Sequence, residues 1–243
     1  MSLRSKPNGI LVLGATGPLG ILTVKELLSS NFKVTIFARS PAKLPQEIKN
    51  DAQVTIIEGD FTSAPTTLFP QLSAFSSVIS CLGPLGITRT YNTPIGDFYT
   101  SLLQYLNALP TATRKPYILA LATPSQPDQL DSFSLLMWIG ILLLRLVTPG
   151  SYREIRGIGA AFLNYGKDVE WTLYRVGGLT NEKAILMKEG KVAQAGYVGD
   201  GKWGMMSDRE QIARWLVKQI QSREEGTGAG RQWVGKMPAI SGV

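Results

Sequence analysis

Six short apolar runs recur along the chain: GILVLGAT (9–16), KVTIFAR (33–39), QVTIIEGD (53–60), SVISCLG (77–83), YILALAT (117–123) and VEWTLYRV (169–176). They are rich in Val, Ile and Leu, run on without strict polar alternation, and most end in Gly, Asp or Thr. Strands of a parallel sheet read this way because both of their faces are covered. Between the first two runs, PLGILTVKELLSSN spaces Leu19, Leu22, Val24, Leu27 and Leu28 close to a helical period. This strand–helix–strand unit, and the alternation that continues to the end of the chain, predict an α/β fold. The expected form is Rossmann-like: a doubly wound, mostly parallel sheet with helices on both faces.

Three segments stand out from this alternation. TPSQPDQLDS (123–132) reads as a loop at the C-terminal end of the fifth strand, the edge where such sheets bind ligands. In SDRE, Ser207 and Glu210 read as a capping box that opens the helix DREQIARWLVKQI, expected to pack on the sheet or over the cleft. The third segment is FSLLMWIGILLLRLVTPG (133–150), which has no polar side chain from Leu135 to Leu144. A bilayer span needs about 20 apolar residues, and Arg145 interrupts this run, so it does not span. A helix apolar all round must still place one side against something besides the sheet. A hydrophobic substrate cleft, a subunit interface and peripheral contact with a membrane surface are the three candidates. Its position between the 123–132 loop and Tyr152 favours a pocket wall, and hence a hydrophobic small-molecule substrate.

A chain of 243 residues, 44% hydrophobic and 18% charged, is long enough for one well-cored domain and too apolar for extensive disorder. We expect a single domain, with a core at about 9–176 and a C-terminal substrate-side part at about 177–243, as a monomer or homodimer. The net charge of +7 attracts phosphates, nucleic acid or anionic membranes alike and does not choose among them. With no histidine and one cysteine, an internal disulfide, a Cys/His zinc cluster and Ser-His-Asp or Cys-His catalysis are all excluded. Cys81, inside the fourth strand, reads as a small core residue. Asp128 and Asp131 read as loop solvation, and no metal site is expected. Zinc fingers, basic helices and RNP-like aromatic patterns are missing, and RKPY (114–117) is too short to be a basic patch, so no nucleic-acid partner is expected. MSLRSKPNG carries no signal-peptide pattern, which points to a cytoplasmic location.

The chemistry begins at GATGPLG (14–20). Gly14 would permit the tight turn after the first strand, Gly17 would let backbone approach a pyrophosphate, and Gly20 would let the helix pack close. Pro18 suits the first helical turn, where its missing N–H is not needed. Gly14, Thr16, Gly17, Pro18, Leu19 and Gly20 are therefore the candidate phosphate cradle, set between a strand and a helix with a second strand following. At the end of that second strand a carboxylate would select NAD. Here FARSPAK offers Arg39, Ser40 and Lys43 instead. A planar, permanently charged guanidinium suits a 2′-phosphate, so the expected cofactor is NADP(H).

GATGPLG, the FAR strand end, EGD (58–60), LALATPS (119–125) and WTLYRVGGLTN (171–181) together resemble the atypical short-chain dehydrogenase/reductases of the NmrA-like, NAD(P)-binding group. The resemblance covers roughly residues 9 to 220, and its N-terminal half is the specific part. It implies NADP(H) across the C-terminal strand edge, with Asp60 and Phe61 near the adenine and Leu82 and Gly83 near the ribose. Thr123, Val176, Gly177 and Gly178 would lie near the nicotinamide. The group includes reductases, isomerases and non-catalytic cofactor sensors, so fold alone does not assign function.

Active short-chain dehydrogenases use a tyrosine, a lysine four residues later, and a serine on the fifth-strand loop. This chain has no Tyr-x-x-x-Lys; it has Tyr152-x-x-x-Arg156 in SYREIRGIG. Residues four apart share a helix face. Arg156 would place positive charge near the Tyr152 phenol, but it stays protonated and relays no proton. The resulting expectation is an NADPH-dependent oxidoreductase that reduces a carbonyl, enone or imine of a hydrophobic small molecule, with a place in secondary metabolism implied by the resemblance. Tyr152 would be its acid, Arg156 the neighbouring charge and Ser125 the group that orients the carbonyl. A non-catalytic NADP(H)-sensing regulator and an isomerase or cyclase on the same fold are the alternatives.

Overall fold

The structure is a computed structural model and describes residues 9–84, 92–180, 191–200 and 203–242. The N-terminal stretch read above, apart from Gly9, and Asn181 of the WTLYRVGGLTN motif lie outside these residues.

All six apolar runs form strands: β1 (Ile10–Leu13), β2 (Val34–Ala38), β3 (Val54–Glu58), β4 (Ser77–Ser80), β5 (Tyr117–Ala122) and β6 (Trp171–Val176). Four short strands follow: β7 (Gly178–Thr180), β8 (Gln194–Gly196), β9 (Met206–Asp208) and β10 (Ala239–Ser241). The main sheet runs β3-β2-β1-β4-β5-β6-β10-β8, parallel throughout except for the antiparallel β10–β8 edge. β7 and β9 pair separately. The helices are α1 (Pro18–Ser29), α2 (Gln46–Lys49), α3 (Ala64–Thr67), α4 (Pro94–Ala108), α5 (Leu135–Val147), α6 (Pro149–Tyr165) and α7 (Arg209–Glu224). This is the doubly wound α/β sheet expected, extended at one edge by strands from the C-terminal part that the hydrophobic pattern did not reveal.

The two faces of the sheet explain why its strands are apolar throughout. Ile10 and Val12 of β1 pack with α1 and α7 residues such as Leu27 and Leu216, whereas Leu11 and Leu13 pack on the other face with α4 and α6 residues such as Leu102 and Phe162. Tyr117 and Leu119 of β5 join the first cluster, Ile118 and Ala120 the second. β1 and β5 thus bury both of their side-chain rows, whereas β3 at the sheet edge is only half-buried. Tyrosines crossing this interior keep their hydroxyls bonded: Tyr99 donates to the Ser80 hydroxyl at 2.6 Å and Tyr174 to the Ser80 carbonyl at 2.8 Å.

At the start of α7 the cap differs from the sequence reading. Asp208, not Ser207, is the N-cap: its carboxylate accepts from the backbone N–H of Glu210 and Gln211, while the Ser207 hydroxyl donates to the Ile240 carbonyl. A carboxylate serves the free N–H groups and the positive end of the helix together. The helix packs on the sheet beside α1.

Candidate functional site at the switch point of the sheet

Strand order reverses between β1 and β4, and the crevice beside such a reversal binds ligands. Residues 14–20 leave β1 there. Gly14 has φ +74°, and a Cβ on it would press into the Cys81–Leu82 peptide at the end of β4. A Cβ on Gly20 would fall well inside contact distance of the Gly14 carbonyl oxygen, so the first turn of α1 packs directly on the loop. Gly17 is the N-cap of α1 and has no side chain to cap it; Pro18 follows as the first helical residue. The leading N–H groups of α1 are thus left without a side-chain acceptor, the arrangement that suits a pyrophosphate. Thr16 and Gly17 are half-buried, Pro18 is exposed and Leu19 is buried in the core beneath.

Arg39, directly after β2, and Lys43, the last residue of the 3-10 turn Pro41–Lys43, are both exposed. No carboxylate shares that turn. At the end of β3, Asp60 is used locally: its carboxylate accepts from the N–H groups of Thr62 and Ser63 and from the Thr62 hydroxyl. The backbone N–H of Ser63, with help from Thr62, holds its carboxyl below the ordinary range. Phe61 stacks on Phe98 of α4, with ring centroids 4.9 Å apart. Leu82 and Gly83 follow β4, half-buried beside the glycine loop.

The opposite wall is the end of β5. Thr123 is half-buried and its hydroxyl accepts from the N–H of Ser125, which is buried. Gln126 is also buried; its side chain lies against Gly159 of α6 and accepts from Arg156 at 3.1 Å. Tyr152 and Arg156 both lie on α6, as their spacing predicted, and Arg156 brings that helix to the loop carrying Ser125. The Tyr152 ring is half-buried and meets the Arg145 guanidinium of α5 at 5.9 Å. Val176 is buried at the end of β6. Beyond it Gly177 and Gly178 turn against Met205, whose carbonyl accepts from the Gly178 N–H. These glycines are thus occupied by the β7–β9 pairing.

Two readings are corrected by the structure. Asp131 is no solvated loop carboxylate: it grips the guanidinium of Arg175 through two bonds, at 2.5 and 2.7 Å, and accepts the Val198 N–H at 3.0 Å. Arg175 is fully buried and also donates to the carbonyls of Gln126 and Met237. Burial by itself would raise the Asp131 carboxyl, but the Arg175 guanidinium and the N–H groups of Asp128 and Val198 together outweigh it and hold the pKa below the ordinary value. This pair, which sequence reasoning missed, ties the 123–132 loop to β6 and to the segment ahead of β10. The only signal for it was an arginine inside an otherwise apolar strand.

Glu154, between Tyr152 and Arg156, has a role that the sequence reading did not address. It is buried and accepts the N–H groups of Ile95 and Gly96, so it caps α4 from outside. The second correction concerns the apolar segment: none of the thirteen residues of α5 is buried, which excludes a core helix and gives the pocket-wall reading no support. Cys81 does behave as a core residue. Its Sγ lies 3.8 Å from the Thr23 hydroxyl and 3.7 Å from that of Tyr174, and burial pushes its thiol up to about 11. Among the described residues no group of three or more His, Cys, Asp or Glu could hold a metal ion, and no single helix is long and apolar enough to cross a membrane.

Several solved structures share this architecture. A short-chain dehydrogenase/reductase (wide type) from Veillonella parvula, in complex with NADP, aligns with a TM-score of 0.67 at 18% identity, covering 96% of this chain and 94% of that one. The oxidoreductase ylbE from Lactococcus lactis aligns at 0.68 and 16%, covering 97% and 91%. A candidate epimerase from Bacteroides thetaiotaomicron aligns at 0.69 and 14%, covering 98% of both chains. At these identities the likeness is one of fold. A search of curated proteins found no match. The sequence model of the NAD(P)H-binding family matches residues 14–223, which include the glycine cradle, both walls of the crevice and α7; the chain belongs to that family.

Proposed function

We propose that the protein is an NADPH-dependent oxidoreductase that reduces a carbonyl, enone or imine of a small hydrophobic molecule. The observation that carries the cofactor assignment is the pairing of the cradle at Gly14, Gly17 and Gly20 with Arg39 and Lys43 at the end of β2. The cradle would hold the pyrophosphate against the N-terminus of α1, and the two cations would hold the 2′-phosphate. Thr123 and Val176, at the ends of β5 and β6, would flank the nicotinamide. When bound, NADPH supplies a hydride; the protein supplies orientation and a proton donor. Tyr152 is the acid in this reading, and Ser125 orients the substrate oxygen.

The Arg156–Gln126 bond bears on the mechanism. It spends the guanidinium on holding α6 to the loop that carries Ser125, one helical turn from Tyr152. Arg156 is then a positioning residue whose charge stands beside the phenol, and the proton that Tyr152 gives up is replaced from water. The missing lysine favours the second reading, in which the protein binds NADP(H) without turnover, because an arginine that stays protonated leaves no relay behind the tyrosine.

NADPH and NADH titrations by cofactor fluorescence, together with NADPH oxidation against a panel of apolar ketones, enones and imines, test the proposal. Arg39→Glu is expected to weaken NADPH at least tenfold more than NADH, and Tyr152→Phe to abolish turnover while leaving NADPH binding intact. Equal loss of both cofactors removes the NADP assignment. Full turnover by Tyr152→Phe removes the acid, and tight NADPH binding with no oxidation across the panel favours the sensor.

A further inference from the structure

Twelve of the thirteen residues of α5 lack a polar side chain, yet the helix buries none of them. At 100° per residue Met137 and Ile141 share one stripe, and both are half-buried, so this stripe rests on the protein. The rest of the circumference is open: Leu135, Leu136, Trp138, Leu143, Leu146 and Val147 are each more than half exposed. Phe133, at 80% exposure, extends the patch toward the 123–132 loop. A flat protein partner covers a single stripe of a helix and would leave the remainder in water. An apolar arc wider than half a turn is satisfied by a medium that surrounds it.

Length and charge narrow that medium. Thirteen residues make about 20 Å of helix, short of the ~30 Å hydrocarbon core. The chain then bends by 114° into α6, which is packed against α4 and cannot continue a span. Arg145 lies in the last turn of α5, and Arg153 and Arg156 are exposed on α6. Glu154, the only acidic residue between 133 and 156, is turned inward onto α4. The flank of the apolar helix is therefore cationic, in a chain whose net charge is +7. A tryptophan and arginines bordering an apolar helix suit the headgroup layer.

We propose that α5 is a membrane-surface anchor, lying within one leaflet of a bilayer that carries anionic phospholipids, with its cationic flank on the side of the headgroups. The proposal is independent of any catalytic role for Tyr152.

Co-sedimentation of the full chain with vesicles of phosphatidylcholine and phosphatidylserine in equal amounts, and with phosphatidylcholine alone, tests it. The protein should pellet with the anionic vesicles, at least tenfold more than with the neutral ones. The double variant Leu143→Glu/Leu146→Glu should lose at least tenfold of that binding while its urea unfolding midpoint stays that of the wild type. Lipids brominated along their acyl chains should quench a fluorescence component that Trp138→Phe removes, a reading that does not depend on the double variant folding. The proposal is overturned if the wild type stays in the supernatant with both vesicles, or if the double variant pellets as well as the wild type. It is also overturned if the wild type is a dimer that the double variant converts to a monomer, because the face then belongs to a second copy.

Discussion

Replacing Asp131 by Ala takes two acceptor oxygens from a guanidinium that has no access to water. Arg175 keeps the carbonyls of Met237 at 2.6 Å and Gln126 at 3.1 Å, but loses both of its charge-assisted bonds, and the Val198 N–H loses its acceptor as well. Removing one partner of a buried ion pair costs about 3–5 kcal/mol. The Asp131 side chain retains 14% exposure and two carbonyls remain, which places the cost near the lower end, about 3 kcal/mol. Urea unfolding at pH 7, followed by tryptophan fluorescence, reads this directly: with a slope of about 3 kcal/mol/M the midpoint falls by about 1 M. The pH dependence has a definite sign. Arg175 holds the folded-state carboxyl below its ordinary value, so the stabilisation is present above the ordinary carboxylate range near 4 and is lost as pH falls through the folded value. The gap between wild type and Asp131→Ala should narrow in acid below about pH 4. A gap under about 1 kcal/mol at pH 7, or one that does not narrow in acid, would refute the reasoning.

Three other perturbations test the neighbouring elements. Gly20→Ala drives a methyl into the Gly14 carbonyl and should lower stability by about 1–3 kcal/mol; in thermal unfolding it should also shrink the stabilisation given by added NADPH. Glu154→Ala leaves the N–H groups of Ile95 and Gly96 buried without an acceptor, at about 2 kcal/mol. Because burial holds the Glu154 carboxyl above its ordinary value, the contribution is fullest at low pH and declines as pH rises through the folded value. That deficit should therefore be larger in mild acid than at neutral pH, opposite in sense to Asp131. Cys81, its thiol pushed up to about 11, should react with a disulfide reagent at pH 8 roughly a hundredfold more slowly in the folded protein than in urea; equal rates would place the thiol in the open crevice.

The Asp131–Arg175 pair also marks where sequence reading stops. Six of the eight strands of the main sheet, the helix after the glycine loop and the positions of Gly14, Gly17 and Gly20 were legible, because local spacing encodes two-sided burial and the turn that follows β1. Tyr152 and Arg156 were legible as one helix face for the same reason. The bond between Asp131 and Arg175 spans 44 positions, and its one local signal misleads: a loop rich in Asp and Gln looks solvated, and one arginine in a strand looks like an exposed edge. The cap of α7 shows the same limit over a shorter range, since Ser207 and Asp208 are equally good capping residues on paper. The Ser207 hydroxyl is taken by Ile240 of β10, a strand more than thirty residues away.

By itself, then, the sequence determined the alternation of strands and helices, the glycine cradle at the first turn and the cations at the end of β2, since each depends on residues within one turn or strand of each other. Only the tertiary structure decided which side chains those elements consume. It gave Glu154 to α4 and Asp131 to Arg175, because desolvated charges take the partners that packing brings near, and it set the exposed Arg156 against Gln126. It also decided the fate of α5. Hydrophobic periodicity states that a helix must be covered, but whether the protein covers it depends on the room left beside the sheet, and here α4 and α6 fill that face and leave α5 outside.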